Sequence, residues 1–261
     1  MAKTIVITGS TRGIGFGLAH RFLEKGCNIM LNGRTPESTR KALEQLQQYS
    51  GRAGALSADI SRPEGITQLY EAAERQFGRV DIWINNAGIV HKVQNAWELD
   101  AASLKEVLTV NIDGVINGTI IPFRRMQQQG GGKIFNMEGL GSDGFMIDGM
   151  TIYGTTKSAL TYFTRSFAHE SRGTSVQIGT ISPGMVVTDM LRGMVSDGSA
   201  ESLKKRKFFN LMADDVETVS AFLCEKILAS TDQSPQIKWL TKQKMMARMV
   251  MAPFKKRDFF S

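Results

Sequence analysis

Thr4-Ile5-Val6-Ile7-Thr8-Gly9-Ser10-Thr11-Arg12-Gly13-Ile14-Gly15 is the stretch on which the fold turns. Its apolar, β-branched start suits a strand buried on both faces, and the glycines after Thr8 permit a tight turn. From Ile14 to Lys25 apolar residues recur at helical spacing. A strand that passes through such a turn into a helix lets a phosphate approach the backbone N–H groups at the helix start. Gly9, Ser10, Thr11, Arg12, Gly13, Ile14 and Gly15, spaced Gly-x-x-x-Gly-x-Gly, therefore read as a dinucleotide phosphate loop.

Outward from that turn the same alternation continues to about residue 240. Strands are expected at Thr4–Thr8, Asn28–Asn32, Ala53–Ala58, Val80–Asn85, Lys133–Met137, Ser175–Ser182 and Ile237–Leu240, with helices between them such as Ile14–Lys25, Pro63–Phe77 and Asp214–Ala229. Strands joined by helices imply a doubly wound parallel sheet whose ligand crevice lies at the strands' carboxyl ends. The 261 residues, 42% hydrophobic and 22% charged, suit one globular α/β domain and exclude disordered and disulfide-stapled chains. No run is long enough for a membrane helix, and Met1 leads directly into the first strand, so a cytoplasmic chain, or one already processed, is expected. Cys27 and Cys224 lie in apolar runs without metal spacing and read as free buried thiols.

The formal net charge is +7, and much of it is local. Between Thr241 and Ser261 stand Lys242, Lys244, Arg248, Lys255, Lys256 and Arg257 against Asp258 alone. This Met-rich tail and the run Lys204-Lys205-Arg206-Lys207 read first as solvated surface, with a membrane surface or an acidic partner as the sharper alternative. A nucleic-acid partner is not expected.

Tyr153-Gly154-Thr155-Thr156-Lys157 sets a phenol and an ammonium four residues apart, on one face of a helix. The ammonium should stabilise a phenolate and lower a pKa that is about 10 when unperturbed, making Tyr153 a usable acid and base.

These residues, with Asn85-Asn86-Ala87-Gly88, Pro183-Gly184 and Thr188, resemble the short-chain dehydrogenase/reductase family from Thr4 to about Leu240. The resemblance implies a single-domain Rossmann-type doubly wound parallel sheet with helices on both faces, over residues 1–240, followed by the tail 241–261. It also implies a nicotinamide cofactor and hydride transfer at a carbonyl or alcohol carbon. Tyr153 would then protonate a carbonyl oxygen, Lys157 would also bond the nicotinamide ribose, and Asn111 would order a water beside the lysine. By the same likeness Asp59 and Ile60 fall on the adenine side, and Asn86, Ala87, Gly88, Pro183, Gly184, Val186 and Thr188 along the cofactor. Strand two ends Asn32-Gly33-Arg34 without the carboxylate that usually holds a free ribose diol, so Arg12 and Arg34 are expected to clamp the 2′-phosphate of NADP(H).

The pattern breaks after the fifth strand. Glu138-Gly139 stands where the family has a small residue and a carbonyl-polarising serine. Ser142 is either a substitute donor, brought in by the glycine-rich loop, or a plain loop serine. Phe135 to Ser142, Tyr153 to Lys157 and Ser182 to Leu191 look like the chlorophyll b reductase branch, which reduces the C7 formyl group. A lid-like segment at 188–212, with apolar Met190, Leu191, Met194, Leu203, Phe208, Phe209, Leu211 and Met212 around Gly193, Asp197-Gly198 and the basic run, suits a bulky apolar carbonyl substrate such as a tetrapyrrole. A generic ketone reductase or alcohol dehydrogenase, and a catalytically weak NADP-binding protein, stay open. A homo-oligomer is expected.

Overall fold

The computed structural model describes residues 2–195, 200–252, 254 and 257–260. Asp197, Gly198, Lys255 and Lys256 lie outside the described residues.

Seven strands form one parallel sheet: β1 (Thr4–Ile7), β2 (Asn28–Gly33), β3 (Ala53–Ser57), β4 (Ile82–Asn85), β5 (Gly132–Met137), β6 (Val176–Ser182) and β7 (Gln236–Lys238), in the order β3-β2-β1-β4-β5-β6-β7. The order reverses on either side of β1, so the crevice between β1 and β4 opens at the strands' carboxyl ends. This is the doubly wound architecture expected from the alternation of strands and helices.

Strand residues explain why both faces are covered. Ile5, Ile7, Ile29, Leu31, Ile82, Ile84, Phe135 and Met137 point to one side, where α1 (Gly13–Glu24), α2 (Pro36–Glu44) and α9 (Val216–Ala229) bury Leu18, Phe22, Ala42 and Leu223 against them. Val6, Met30, Trp83 and Ile134 alternate to the other side, against α3 (Pro63–Phe77), α5 (Gly114–Gln128) and α6 (Thr151–Glu170). A strand apolar at both parities has no solvent face and needs helices on each side. Cys27 and Cys224 are free and buried in the first layer, where burial pushes the Cys224 thiol up to about 12 and leaves it inert as a nucleophile.

A short helix α4 (Ala101–Leu108) runs into a π-helical turn, Thr109–Asp113, before α5. After β6 come α7 (Asp189–Gly193) and α8 (Ala200–Met212), which share a small third core of Val195, Phe209, Ala213 and Phe260. The expected helix at Asp214–Ala229 begins later, at Val216, because Asp215 is its cap and accepts from Thr218 N at 2.7 Å.

Asp214 has another task. Its carboxylate binds Arg248 of α10 (Lys242–Met251), Arg257 and the Trp239 indole, while Arg192 donates to the Phe259 carbonyl at 3.1 Å. Burial alone would raise this carboxyl, but the hydrogen bonds from Arg248, Trp239 and Arg257 outweigh it and hold the pKa below the ordinary value. The expectation of a solvated basic tail is therefore corrected at two positions. Arg248 and Arg257 bring their charge to Asp214, and Phe260 packs against Phe209, so the tail is strapped to α8 and the segment that follows it.

Candidate active site

The glycine turn is shaped by close approach. Gly9 and Gly13 take φ of +60° and +58°, and a Cβ at Gly9 would lie 2.7 Å from the Ala87 Cα. Asn86 holds the two loops together, its amide donating to the Thr8 and Gly9 carbonyls at 2.9 and 3.0 Å, while the Thr8 hydroxyl accepts from the N–H groups of Asn86 and Ala87. The Ser10 hydroxyl donates to the Ile7 carbonyl at 2.7 Å and accepts from Asn32 N, so it ties β1 to β2. No side chain caps α1, and its first turn carries no acid. That leaves the helix N-terminus open to the phosphates of a dinucleotide, and the residues present fit such a group.

Arg12 and Arg34 are 80% and 75% exposed in their side chains and do not face a common partner. Arg12 pairs with Asp189 at 3.5 Å and Arg34 with Glu106 at 3.0 Å. Asp59 accepts from the N–H and hydroxyl of Ser61 in a tight turn, and Ile60 sits in the core beneath Gly114. Pro183 and Gly184 follow β6, Val186 pairs with Asp214, and Thr188 caps α7.

Tyr153 and Lys157 share the buried face of α6, as their spacing requires, and are only 8% and 4% exposed. Lys157 Nζ donates to the Met137 carbonyl at 3.2 Å and stands 5.8 Å from the centre of the Tyr153 ring. Here the expected electrostatics are corrected. Burial pushes the Tyr153 phenol up to about 12 and pulls the Lys157 ammonium down to about 8, because desolvation penalises both charged forms. The Glu138 charge works against burial at Lys157.

Asn111 lies fully buried in the π-helical turn. Its side chain exchanges hydrogen bonds with the N–H and carbonyl of Ile89, both at 2.9 Å, and donates to Thr156 Oγ1 at 3.2 Å. Gly88 completes the cluster: a Cβ there would lie 3.4 Å from Asn111 Oδ1 and 3.6 Å from Lys157 Nζ. Such π turns insert one residue into a helix and commonly mark functional positions.

Ser142 lies in the loop that follows β5. Its hydroxyl accepts from Gly139 N at 3.1 Å and donates to the Lys157 carbonyl at 3.3 Å, which latches the loop to α6. Ser158 adds a second latch by donating to the Gly141 carbonyl at 2.6 Å. A Cβ at Gly139 would stand 2.8 Å from the Tyr153 hydroxyl, so the tyrosine tip occupies the space a side chain at 139 would take.

The sequence reading missed a buried polar network under this site. Asn85 binds Asn136 Oδ1 at 2.8 Å and the Gly118 carbonyl at 2.9 Å, and Asn136 donates to Thr164 Oγ1 at 2.9 Å. Polar residues at strand positions otherwise filled by apolar ones were the available signal.

A parallel sheet reversing at β1, an open helix start behind a glycine turn, and a buried tyrosine–lysine pair at its crevice are the parts of a dinucleotide-binding fold. The chain belongs to the short-chain dehydrogenase family, which matches residues 3–198. It is 31% identical, over 99% of its length, to "Probable chlorophyll(ide) b reductase NYC1, chloroplastic" of Oryza sativa subsp. japonica, and 33% identical, over 94%, to "Chlorophyll(ide) b reductase NOL, chloroplastic" of the same plant. The chain spans about half the length of the first, 54%, and 73% of the second. In fold it resembles the crystal structure of a 3-ketoacyl-(acyl-carrier-protein) reductase from Brucella melitensis complexed with NADH, with a TM-score of 0.79 at 24% identity over 93% of this chain and 98% of the other.

Proposed function

We propose that the protein reduces a formyl group on a bulky apolar substrate with NADPH, the first candidate being the C7 formyl of chlorophyll b or chlorophyllide b, which would become hydroxymethyl. The observation that carries this reading is Gly139, just after β5, against the Tyr153 hydroxyl: a side chain there would collide with the proton donor, its Cβ lying 2.8 Å from the hydroxyl. The likeness to the two plant reductases supports it.

The turn from Gly9 to Gly15, with Asp59, Ile60, Asn86 to Gly88, Tyr153, Lys157, Pro183, Gly184, Val186 and Thr188, would hold the cofactor, which when bound supplies a hydride to the substrate carbon. Tyr153 then donates its proton to the carbonyl oxygen, and Lys157 supplies the adjacent positive charge. Burial favours the protonated phenol, the form a reductase needs before the reaction. Asn111 fixes Ile89, and with it the loop that crosses in front of the lysine. The absence of an acid at the end of β2 favours NADPH, with Arg12 and Arg34 exchanging their present acidic partners for the 2′-phosphate.

Among the described lid residues, Met190 and Leu203 are exposed, whereas Phe209 and Met212 are buried and the rest pack partly. The apolar wall offered to substrate is thus narrower than the composition suggested. On α10 the exposed Met246, Met249 and Val250 support contact with a membrane or pigment-protein, although two of the tail's cations are held by Asp214. No helix among the described residues is long and apolar enough to cross a membrane.

The test is anaerobic incubation with NADPH and chlorophyllide b followed by pigment separation. A hydroxymethyl product supports the reading, and turnover of simple ketones with none of the pigment replaces it by the generic ketone reductase. NADPH should bind at least about tenfold tighter than NADH in fluorescence titration, about 1.4 kcal/mol, and Arg34→Asp should reverse that order.

A further inference from the structure

Helix α10 is built inside out. Its sequence carries Lys242, Lys244 and Arg248 and no acid, and on an ordinary surface helix such charges face solvent while the apolar residues face the protein. Here two of the cations turn inward. Arg248 donates to the Met212 carbonyl and to the Asp214 carboxylate, and Lys244 lies over the Trp239 ring. The face left to solvent runs through Lys242, Met246, Met249 and Val250, as their spacing requires, and past its first residue it is apolar. Met246 is 67% exposed, Met249 52% and Val250 70%, and Phe254, just beyond the helix, is 82% exposed. Single exposed apolar residues are ordinary, whereas a contiguous set of them marks a surface that meets something.

The surroundings of this face are cationic. Lys242 is exposed at its start, and Lys238 is exposed just before it on β7. Helix α8 packs against α10 and turns Lys204 and Lys207 to solvent, next in sequence to the exposed Leu203. Asp214 sets one carboxylate against two arginines, so that cluster too keeps a net positive charge.

We propose that α10 is a docking face for an anionic lipid membrane, with Met246, Met249, Val250 and Phe254 entering the headgroup boundary and the lysines around them meeting lipid phosphates. Unbranched methionines adapt to an irregular, fluid surface, and an apolar face rimmed by cations is the pattern of an interfacial helix. Charge argues against a second copy of the chain. A two-fold pair would set Lys242 and its cationic neighbours against themselves, with no acid on α10 to answer them. Size argues the same way: ten residues make a helix about 15 Å long, too short to bury the roughly 800 Å² per partner of a stable dimer. Because α8 packs against α10, docking brings the lid-like segment beside the bilayer, where an apolar substrate dissolves. That consequence rests on the substrate reading above, whereas the docking face does not.

The full chain is sedimented with vesicles of phosphatidylcholine alone and of phosphatidylcholine with about a third phosphatidylglycerol. It should pellet with the anionic vesicles, less as salt rises, and stay in solution with the neutral ones. Met246→Gln with Val250→Gln removes apolar surface without adding charge, and should lower the partition coefficient about tenfold or more at an unchanged thermal midpoint. Lys242→Gln should lower it about fivefold. If the double variant does not fold, Met249→Gln alone decides, by the same comparison. No pelleting with either vesicle, equal pelleting with both, or pelleting that none of these substitutions weakens overturns the proposal. So does a native dimer in sedimentation velocity that ignores vesicles and comes apart in the double variant, since a second copy then covers the face. A chain that pellets with anionic vesicles but leaves chlorophyllide b untouched keeps the docking face and loses the substrate assignment. One that makes the hydroxymethyl product and never pellets does the reverse.

Discussion

Around Tyr153, neutral hydrogen bonds from Asn85, Asn111, Asn136, Thr164 and Ser142 lock β4, β5, α6 and their loops together, whereas beyond β6 one carboxylate, Asp214, gathers Arg248, Arg257 and Trp239 from the C-terminal segment. Each amide or hydroxyl in the first set contributes about 1 kcal/mol, and losing one leaves the others in place. The second set converges on a single charge, and removing that charge strands two half-buried arginines. The neutral network is therefore spread over many bonds, while on the other side the charged contacts converge on Asp214, beside the Arg192–Phe259 bond and the Phe209–Phe260 contact.

Four substitutions test whether the two sides separate in this way. Tyr153→Phe should have the largest effect, lowering turnover by about 10²- to 10⁴-fold because the proton donor is gone while the ring still packs. NADPH affinity and thermal midpoint should stay near native, and a residual turnover above about a tenth would assign the proton to another residue.

Asp214→Ala comes next. It should cost about 3–5 kcal/mol on the lid side, read as early proteolytic cleavage after Thr241 and a KM that rises more than kcat falls. The sign with pH follows from the depressed carboxyl of Asp214. Its stabilising contribution is full above the unfolded value of about 4 and is lost as pH falls through the lower folded value. Native protein should thus resist cleavage down to about pH 4, and a strap that loosens between pH 6 and 7 would break the assignment to Asp214.

What the sequence made legible follows the same division. The glycine turn, the double-parity strands and the Tyr153–Lys157 spacing are local patterns, and each appears where its residues predict. Asp214 and its arginines are 34 and 43 residues apart in the chain, and counting cations in the tail could not reveal a partner at that distance. The π turn at Asn111 leaves no periodic mark of its own. The direction of the Tyr153 shift was misjudged because spacing shows a nearby ammonium but not how deeply both groups are buried.

Gly139→Ser probes the neutral network at its tightest point. A Cβ 2.8 Å from the Tyr153 hydroxyl forces the ring or the loop to shift, so turnover should fall about tenfold despite the restored family serine. NADPH binding should hold. Improved turnover would mean that the site lacks a donor and has room for one.

Ser142→Ala should have the smallest effect, and it separates latch from catalyst. As a latch, the hydroxyl joins Gly139 N to the Lys157 carbonyl, and losing it removes one donor and one acceptor from a loop that Ser158 still holds at Gly141. The expected cost is about 1 kcal/mol, a fall in midpoint of about 2–4 °C, with turnover within about threefold of native. As a carbonyl donor, Ser142 would instead show a loss of about 10²-fold or more with no change in midpoint. The combination with Ser158→Ala sharpens the result. Two latches on one loop should lower the midpoint by more than their separate effects, since either alone keeps Gly139 beside Tyr153, and turnover should drop only when both are gone.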